Sequence, residues 1–251
     1  MSNFRHVRES HEPRLAAANF LVGAVQPLDG YFAFDATSGI TNWGMDGNDY
    51  HGDCGFAMLD HANVAEMGDS TQAGKLFFPE YTGVLPAYYA YGLSIGEVGP
   101  PNAPNQPDFG VANAQMLPWA YTNGFIDDYM EVPISQLDWW ASQCMGVSKG
   151  VCVGIAMNNH VANEGPGVPW GSSPEDLINL TEGHDVYYGF SVGDGTGELI
   201  TWGFRKRFTV EFRQNFTDAW VVGTRNLDFV DSEALAAVLT QMNGVVRPRT
   251  S

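Results

Sequence analysis

The sequence predicts an α+β fold, with a helix-rich N-terminal half and an antiparallel β-rich C-terminal half. Two observations carry this. Apolar residues recur at helical spacing in several segments before residue 145. From Val151 onward the pattern changes to short β-type runs separated by Gly- and Asp-rich turns. Helical and strand patterns do not alternate along the chain, which argues against a parallel βαβ sheet.

Each element has its own local reason. Residues 1–14 are polar and charged and read as an arm. Gln26-Pro27-Leu28-Asp29-Gly30 is a turn sequence. Residues 42–54 are rich in Gly, Asp and Asn without periodicity and read as an ordered loop. Phe56, Ala57, Leu59, His61, Val64 and Met67 then fall near helical spacing, with Asp53 as the expected N-cap and Gly68 as the stop. A second helix is expected around Tyr88 to Tyr91. Residues 99–107, Gly-Pro-Pro-Asn-Ala-Pro-Asn-Gln-Pro, break any helix or strand. Residues 113–123 predict a helix containing Pro118 and closing at Gly124. A short amphipathic helix is expected at 137–144, with Ser135 as its cap. Strands are expected at 151–157, 185–190, 198–202 and 219–222, and a last helix at 232–242. Gly193-Asp194-Gly195-Thr196-Gly197 lacks the Lys and the following helix of a phosphate loop, so it reads as a hairpin turn.

Bulk properties exclude several partners. The 29 acidic residues against 12 basic ones give a formal charge of −17, a field that repels phosphate, so no nucleic acid is expected to bind. No run reaches the roughly 18 apolar residues of a membrane span, so no membrane partner is expected. Residues 15–25 resemble a signal sequence only superficially, because Glu9, Glu12 and Pro13 spoil the charged region and Asn19 interrupts the apolar one. Cys54, Cys144 and Cys152 form neither a disulfide framework nor a CxxC pair. Asp46, Asp49 and Asp53 crowd one loop without EF-hand spacing, and local Asx turns are their expected use. No metal and no cofactor are expected.

The residues that could carry chemistry are Cys54, His184, Asn48 and Thr201. A cysteine at a helix N-terminus is activated by the partial positive charge there and more strongly by a neighbouring imidazolium. Cys54 heads the predicted helix, and Gly52 before it would allow a close approach of the chain. His184, after Gly183 on a strand-like run, is the expected general base. The Asn48 side chain and the Cys54 backbone N–H would be the oxyanion donors. Against this, an unpaired cysteine is most often a small buried hydrophobe, and Cys144 and Cys152 read that way. His51 is an alternative partner or a loop histidine, and His61 is expected to be structural.

Asn48-Asp49-Tyr50-His51-Gly52-Asp53-Cys54, Gly183-His184-Asp185-Val186 and Leu199-Ile200-Thr201-Trp202-Gly203 together resemble segments of papain-like proteins of actinobacteria and their phages. The resemblance spans approximately residues 14–223. It implies a two-lobed papain-like domain over 15–251, with a helical lobe at about 45–145, a β lobe at about 146–230 and the C-terminal helix. It makes Cys54 the nucleophile and His184 the base, and it places Asn48 where papain has an oxyanion-stabilising Gln. Trp202 matches the tryptophan that shields the histidine's partner. The orienting Asn itself has no counterpart. Ile200 stands there, which leaves the Thr201 hydroxyl, a backbone carbonyl or a bare dyad. Asp185, directly after His184, is expected by strand alternation to point away from the ring.

Three activities follow from the resemblance. The first is a cysteine peptidase or amidase, phage-encoded, cleaving a peptide or amide bond of a peptide or protein substrate. The second is a non-catalytic structural or binding protein of a phage virion, docking on capsid or tail proteins. The third is acyl transfer to an amine by the same pair. Virion and host cytoplasm are the two locations these readings leave open.

Overall fold

The computed structural model describes residues 28–68, 83–97, 108–143 and 150–224. The arm at 1–14, the segment 99–107, Cys144 and the helix expected at 232–242 lie outside the described residues. Five helices are described: α1 (Cys54–Met67), α2 (Val84–Ile95), α3 (Asn113–Thr122), α4 (Leu137–Gln143) and α5 (Asn159–Asn163). Seven strands accompany them: β1 (Ala33–Asp35), β2 (Ile126–Glu131), β3 (Val151–Met157), β4 (Glu182–Val192), β5 (Gly197–Thr201), β6 (Phe204–Phe208) and β7 (Phe216–Thr224). The long helices precede β3 and most strands follow it, so the chain is α+β.

All strand pairs are antiparallel, in the order β2-β7-β3-β4-β5-β6, with β1 pairing the far end of β4. β3 lies between β4 and β7 and is covered on both faces, which is why Val151-Cys152-Val153-Gly154-Ile155-Ala156-Met157 is a continuous apolar run. β1 and β2 come from the front half, so the region expected as a helical lobe gives a strand to the sheet. The β4–β5 hairpin turns where the Gly-rich run requires. Gly193 and Gly195 have φ of 87° and 94°, and the Asp194 carboxylate accepts from the Thr196 N–H and hydroxyl.

Two apolar cores form, one on each face of the sheet. One joins Phe56, Leu59 and Val64 of α1, Tyr88 and Tyr91 of α2 and Met116 of α3 to Cys152, Tyr187, Ile200 and Val222 of the sheet. The other joins Trp140 of α4 and Trp170 to Val153, Val186, Tyr188, Leu199 and Phe212. The side chains of Tyr187 and of its neighbours Val186 and Tyr188 thus enter different cores, as the period of two requires.

Helix α1 is buried from Cys54 to Ala65, so it is a central helix without a solvent face. It ends where Gly68 enters the left-handed region at φ 62° and its N–H bonds Val64 and Ala65 carbonyls. Its start departs from expectation. Asp53 stands at the N-cap position, and its carbonyl accepts from Phe56 and Ala57, yet its side chain makes no capping bond. The backbone there is at φ −91°, ψ 18°, rather than the extended geometry that aims a cap side chain at the first turn. The Asp53 carboxyl is instead fully buried with both oxygens unpaired.

Candidate functional site

Strand alternation decides what meets Cys54. Asp185 and Tyr187 project from the face of β4 that α1 covers, and His184, Val186 and Tyr188 project from the other. The Cys54 thiol donates to Asp185 Oδ2 at 3.6 Å. His184 Nε2 instead lies 2.6 Å from Thr201 Oγ1, and its ring stacks on Trp202 with centroids 4.8 Å apart. No hydrogen bond joins Cys54 to His184 among the described residues. Asp185 does point away from the imidazole, and in doing so it occupies the place beside the sulfur.

The remaining sequence candidates fall as follows. Asn48 lies in the loop before α1, half-buried, with its backbone N–H bonded to the Met45 carbonyl. His51 Nδ1 lies 3.4 Å from the Tyr89 hydroxyl and does not partner Cys54. His61 is buried in α1, 3.3 Å from the Gly44 carbonyl. Cys152 is a free, buried cysteine of β3 in the α1-side core. In the loop 42–54, the Gly44 N–H donates to Asn42 Oδ1, an Asx-type contact.

A cleft of about 700 Å³ opens beside this point. Its wall is the end of α2 with Tyr91 and Ile95, then Glu97, the 108–112 segment and the start of α3. Its floor is Gly154 and Ile155 of β3, Gly183 to Asp185 of β4, and Thr217 and Asp218 of β7. Asn113, the first residue of α3, binds the floor together. Its Nδ2 donates to Asp185 Oδ1 at 2.6 Å and to Asp218 Oδ1 at 3.0 Å. The Trp220 indole N–H also donates to Asp218, at 2.6 Å. Gly154 faces Asp185 and Asp218 across its two ladders, and a Cβ there would run into the Asp218 carboxylate. The wall is tied to the cysteine loop by Asp108, which accepts from the Gly52 N–H and the Tyr88 hydroxyl, each at 2.7 Å. A Cβ on Gly52 would lie 3.0 Å from the Gly110 Cα, so glycine is needed for this approach.

The electrostatics leave the sulfur as a thiol. Burial, followed by the Asp185 charge, raises the Cys54 pKa well above its usual 9.0, and the residue is only 8% exposed. The helix N-terminus pulls the other way, but two neighbouring carboxyls and desolvation outweigh it. Burial raises Asp185 to about 7, with the Asp218 charge adding to it and the bonds from Cys54 and Asn113 opposing. Burial lowers His184 to about 3, helped by His61, so its ring is neutral at pH 7. Thr201→Val, which leaves a buried ring nitrogen unpaired, is expected to cost about 1–3 kcal/mol in chemical denaturation. An unchanged midpoint would show that the hydroxyl does not hold the ring.

Asn113 and Asp218 were not legible as site residues. The one local signal for them is Gly154, a glycine in the middle of a central strand, which marks a close approach by other groups. A group of His160, Glu164 and Asp176 has ligand-type atoms within 4.8 Å of one another, away from the cleft. His160 Nδ1 is already 2.8 Å from Asp176 Oδ1, and the Lys206 ammonium stands 3.6 Å from Glu164, so this set reads as an ion-pair network. Comparison with protein-family models, with curated proteins and with solved structures gave no match.

Proposed function

We propose that this chain is a non-catalytic binding protein of papain-like architecture, whose cleft beside Cys54 receives a peptide segment. One observation supports this above the others. The sulfur faces a carboxyl rather than an imidazole, while His184 is engaged by Thr201 and Trp202 on the opposite face of β4. A protonated, desolvated thiol is a poor nucleophile, and a neutral ring supplies no charge to activate it. The cleft volume is that of an ordinary ligand pocket, large enough for several side-chain atoms. The likeness of the cysteine, histidine and tryptophan segments to papain-like proteins of actinobacteria and phages supports a virion structural protein as the partner.

Alkylation tests the reading. Iodoacetamide is expected to label Cys54 of the native protein slowly, at a rate comparable to Cys152, with no hydrolysis of peptide or amide substrates. Selective fast labelling of Cys54, together with hydrolysis that Cys54→Ala abolishes, overturns it.

A second reading, a peptidase or amidase acting through Cys54 and His184, has one observation in its favour. The ring already has a hydroxyl partner and a stacked tryptophan, the support an orienting residue gives a catalytic imidazole. It requires His184 to come within hydrogen-bond reach of the sulfur. A bell-shaped pH profile lost in both Cys54→Ala and His184→Ala would establish it.

A further inference from the structure

We propose that the outer face of α2 is a docking surface for an amphipathic segment of another protein, apolar on one side and rich in Lys or Arg beside it. This rests on the binding reading above and names the chemistry of the occupant.

Helix α2 carries no charged residue, and its sequence is apolar or aromatic apart from Gly92 and Ser94. A helix of that composition is normally enclosed on all sides, as α1 is. Only one face of α2 is buried, through Val84, Ala87, Tyr88, Tyr91 and Gly92. On the other, Leu93 and Ile95 are each 47% exposed, and Leu85 and Tyr89 are half-buried. Leu85, Tyr89 and Leu93 stand four apart and so form one ridge along the helix. The loop before α1 widens this surface. A Cβ on its Gly47 would lie 2.8 Å from Leu85, and its His51 ring meets Tyr89 with centroids 5.9 Å apart. The same loop presents Tyr50, 82% exposed. An apolar surface gathered in this way marks an interaction site, as a single exposed leucine does not.

Charge and continuity decide the occupant. Between Arg14 and Lys149 the sequence holds a single Lys or Arg, Lys75. The carboxylates beside the face are exposed: Asp49 next to Tyr50, Glu97 just past the helix end, and Asp108, bonded to the Tyr88 hydroxyl. A second copy would set these carboxylates against their own kind, and an anionic lipid surface is repelled in the same way. A segment with cations beside its apolar side meets them favourably. Ile95, Glu97 and Asp108 also line the cleft, so the surface is continuous with the site that receives a peptide.

The long-range field attracts any cation to a chain of charge −17, so the test must separate the face from that field. The probe is acetyl-Leu-Lys-Lys-Leu-Leu-Lys-Leu-Leu-Lys-Lys-Leu-Leu-Lys-Leu-amide, followed by fluorescence anisotropy on the full chain at physiological salt. A scrambled peptide of the same composition, with leucines on all sides, is expected to bind more weakly. Leu93→Glu adds a negative charge, so a pure field effect would hold or raise the affinity. Docking on α2 instead predicts a loss of at least about tenfold, the value of roughly one buried leucine. Leu93→Ser, which leaves the charge unchanged, is expected to weaken binding several-fold. Val192→Glu makes the same charge change at an exposed residue on the end of β4 away from the cleft, and is expected to cause no loss. Failure of the probe to bind, or an affinity that Leu93→Glu leaves unchanged or raises in a folded variant, overturns the proposal. Sedimentation showing a dimer of the free chain that Leu93→Glu dissociates assigns the face to a second copy and overturns it too. Mass spectrometry of the recovered probe separates these failures from the other. An intact probe whose binding ignores Leu93 defeats the docking face alone, and a cleaved one defeats the binding reading beneath it.

Discussion

Asp138→Ala is expected to destabilise the protein by about 3–5 kcal/mol, the usual cost of removing one partner of a buried ion pair. Asp138 of α4 is fully buried, and Arg213 Nη2 reaches its two oxygens at 2.8 and 3.0 Å. The Tyr188 and Ser191 hydroxyls of β4 also donate to it, at 3.0 and 3.2 Å, and the Phe32 N–H does so at 3.3 Å. One carboxylate therefore joins α4, β4, the turn before β7 and the chain leading into β1. Alanine leaves the Arg213 guanidinium, 10% exposed, without its counter-ion and the Tyr188 hydroxyl without an acceptor, while the Ser191 hydroxyl keeps only the Thr196 carbonyl at 3.4 Å. The melting temperature should fall by on the order of 10 °C for a chain of this size. Asp138→Ala with Arg213→Met should recover part of the loss, since two apolar residues leave no stranded charge. A shift below about 1 kcal/mol in Asp138→Ala, the range of a surface pair, would show that the network carries little.

Stability is expected to fall between pH 6.5 and 8.5. Asp53 is raised to about 8, mainly by burial and then by the carboxylates of Asp46, Asp108 and Asp49. Asp46 and Asp185 are each raised to about 7, again with burial as the main cause. In the unfolded chain these carboxyls lose their protons near pH 4, whereas the folded chain holds them to pH 7–8. Across that window the native state binds more protons, so the stability these groups contribute is complete below about pH 4 and lost as pH rises through 7–8. The buried histidines act in the opposite sense. His61 and His184 are lowered to about 4 and 3, so unfolding takes up protons below about 6.5 and stability is lost as pH falls. Between about pH 4.5 and 6.5 the two effects oppose each other, and above 6.5 only the carboxyl effect remains. Three carboxyls against two histidines leave about one proton uncompensated, so thermal melts should decline gently over the first interval and more steeply from pH 6.5 to 8, with a drop of several degrees by pH 8.5. Asp53→Asn should flatten the drop most, because Asp53 has the largest shift and neither of its oxygens is hydrogen-bonded. A melting temperature that is unchanged or higher at pH 8.5 would contradict this.

Legibility in the sequence followed how local the cause was. Helix α1 was readable to the residue at both ends because its apolar spacing and Gly68 are local signals. β3 was equally plain, since a strand covered on both faces has no polar positions to interrupt it. β2 was hidden by the acidic residues in Ile126-Asp127-Asp128-Tyr129-Met130-Glu131, which lack the alternation of a half-buried strand. β6 was hidden by Arg205-Lys206-Arg207. The two arginines face outward on an edge strand, and Lys206 points inward to a place an apolar residue would normally take. Its ammonium is stabilised there by the Gly165 carbonyl at 2.8 Å and the Trp170 ring, neither of which is near it in sequence.

What the sequence determined by itself was the α+β class, the helix that Cys54 heads and the rule that His184 and Asp185 project from opposite faces of one strand. Those follow from periodicities of 3.6 and 2, which are properties of the backbone. Only the tertiary structure decided which of the two faces α1 covers, because that depends on how Phe56, Leu59 and Val64 pack against Cys152, Tyr187 and Ile200. Packing set Asp185 beside the sulfur and His184 beside Thr201, and it brought Asn113 and Asp218 from distant elements to the floor of the cleft.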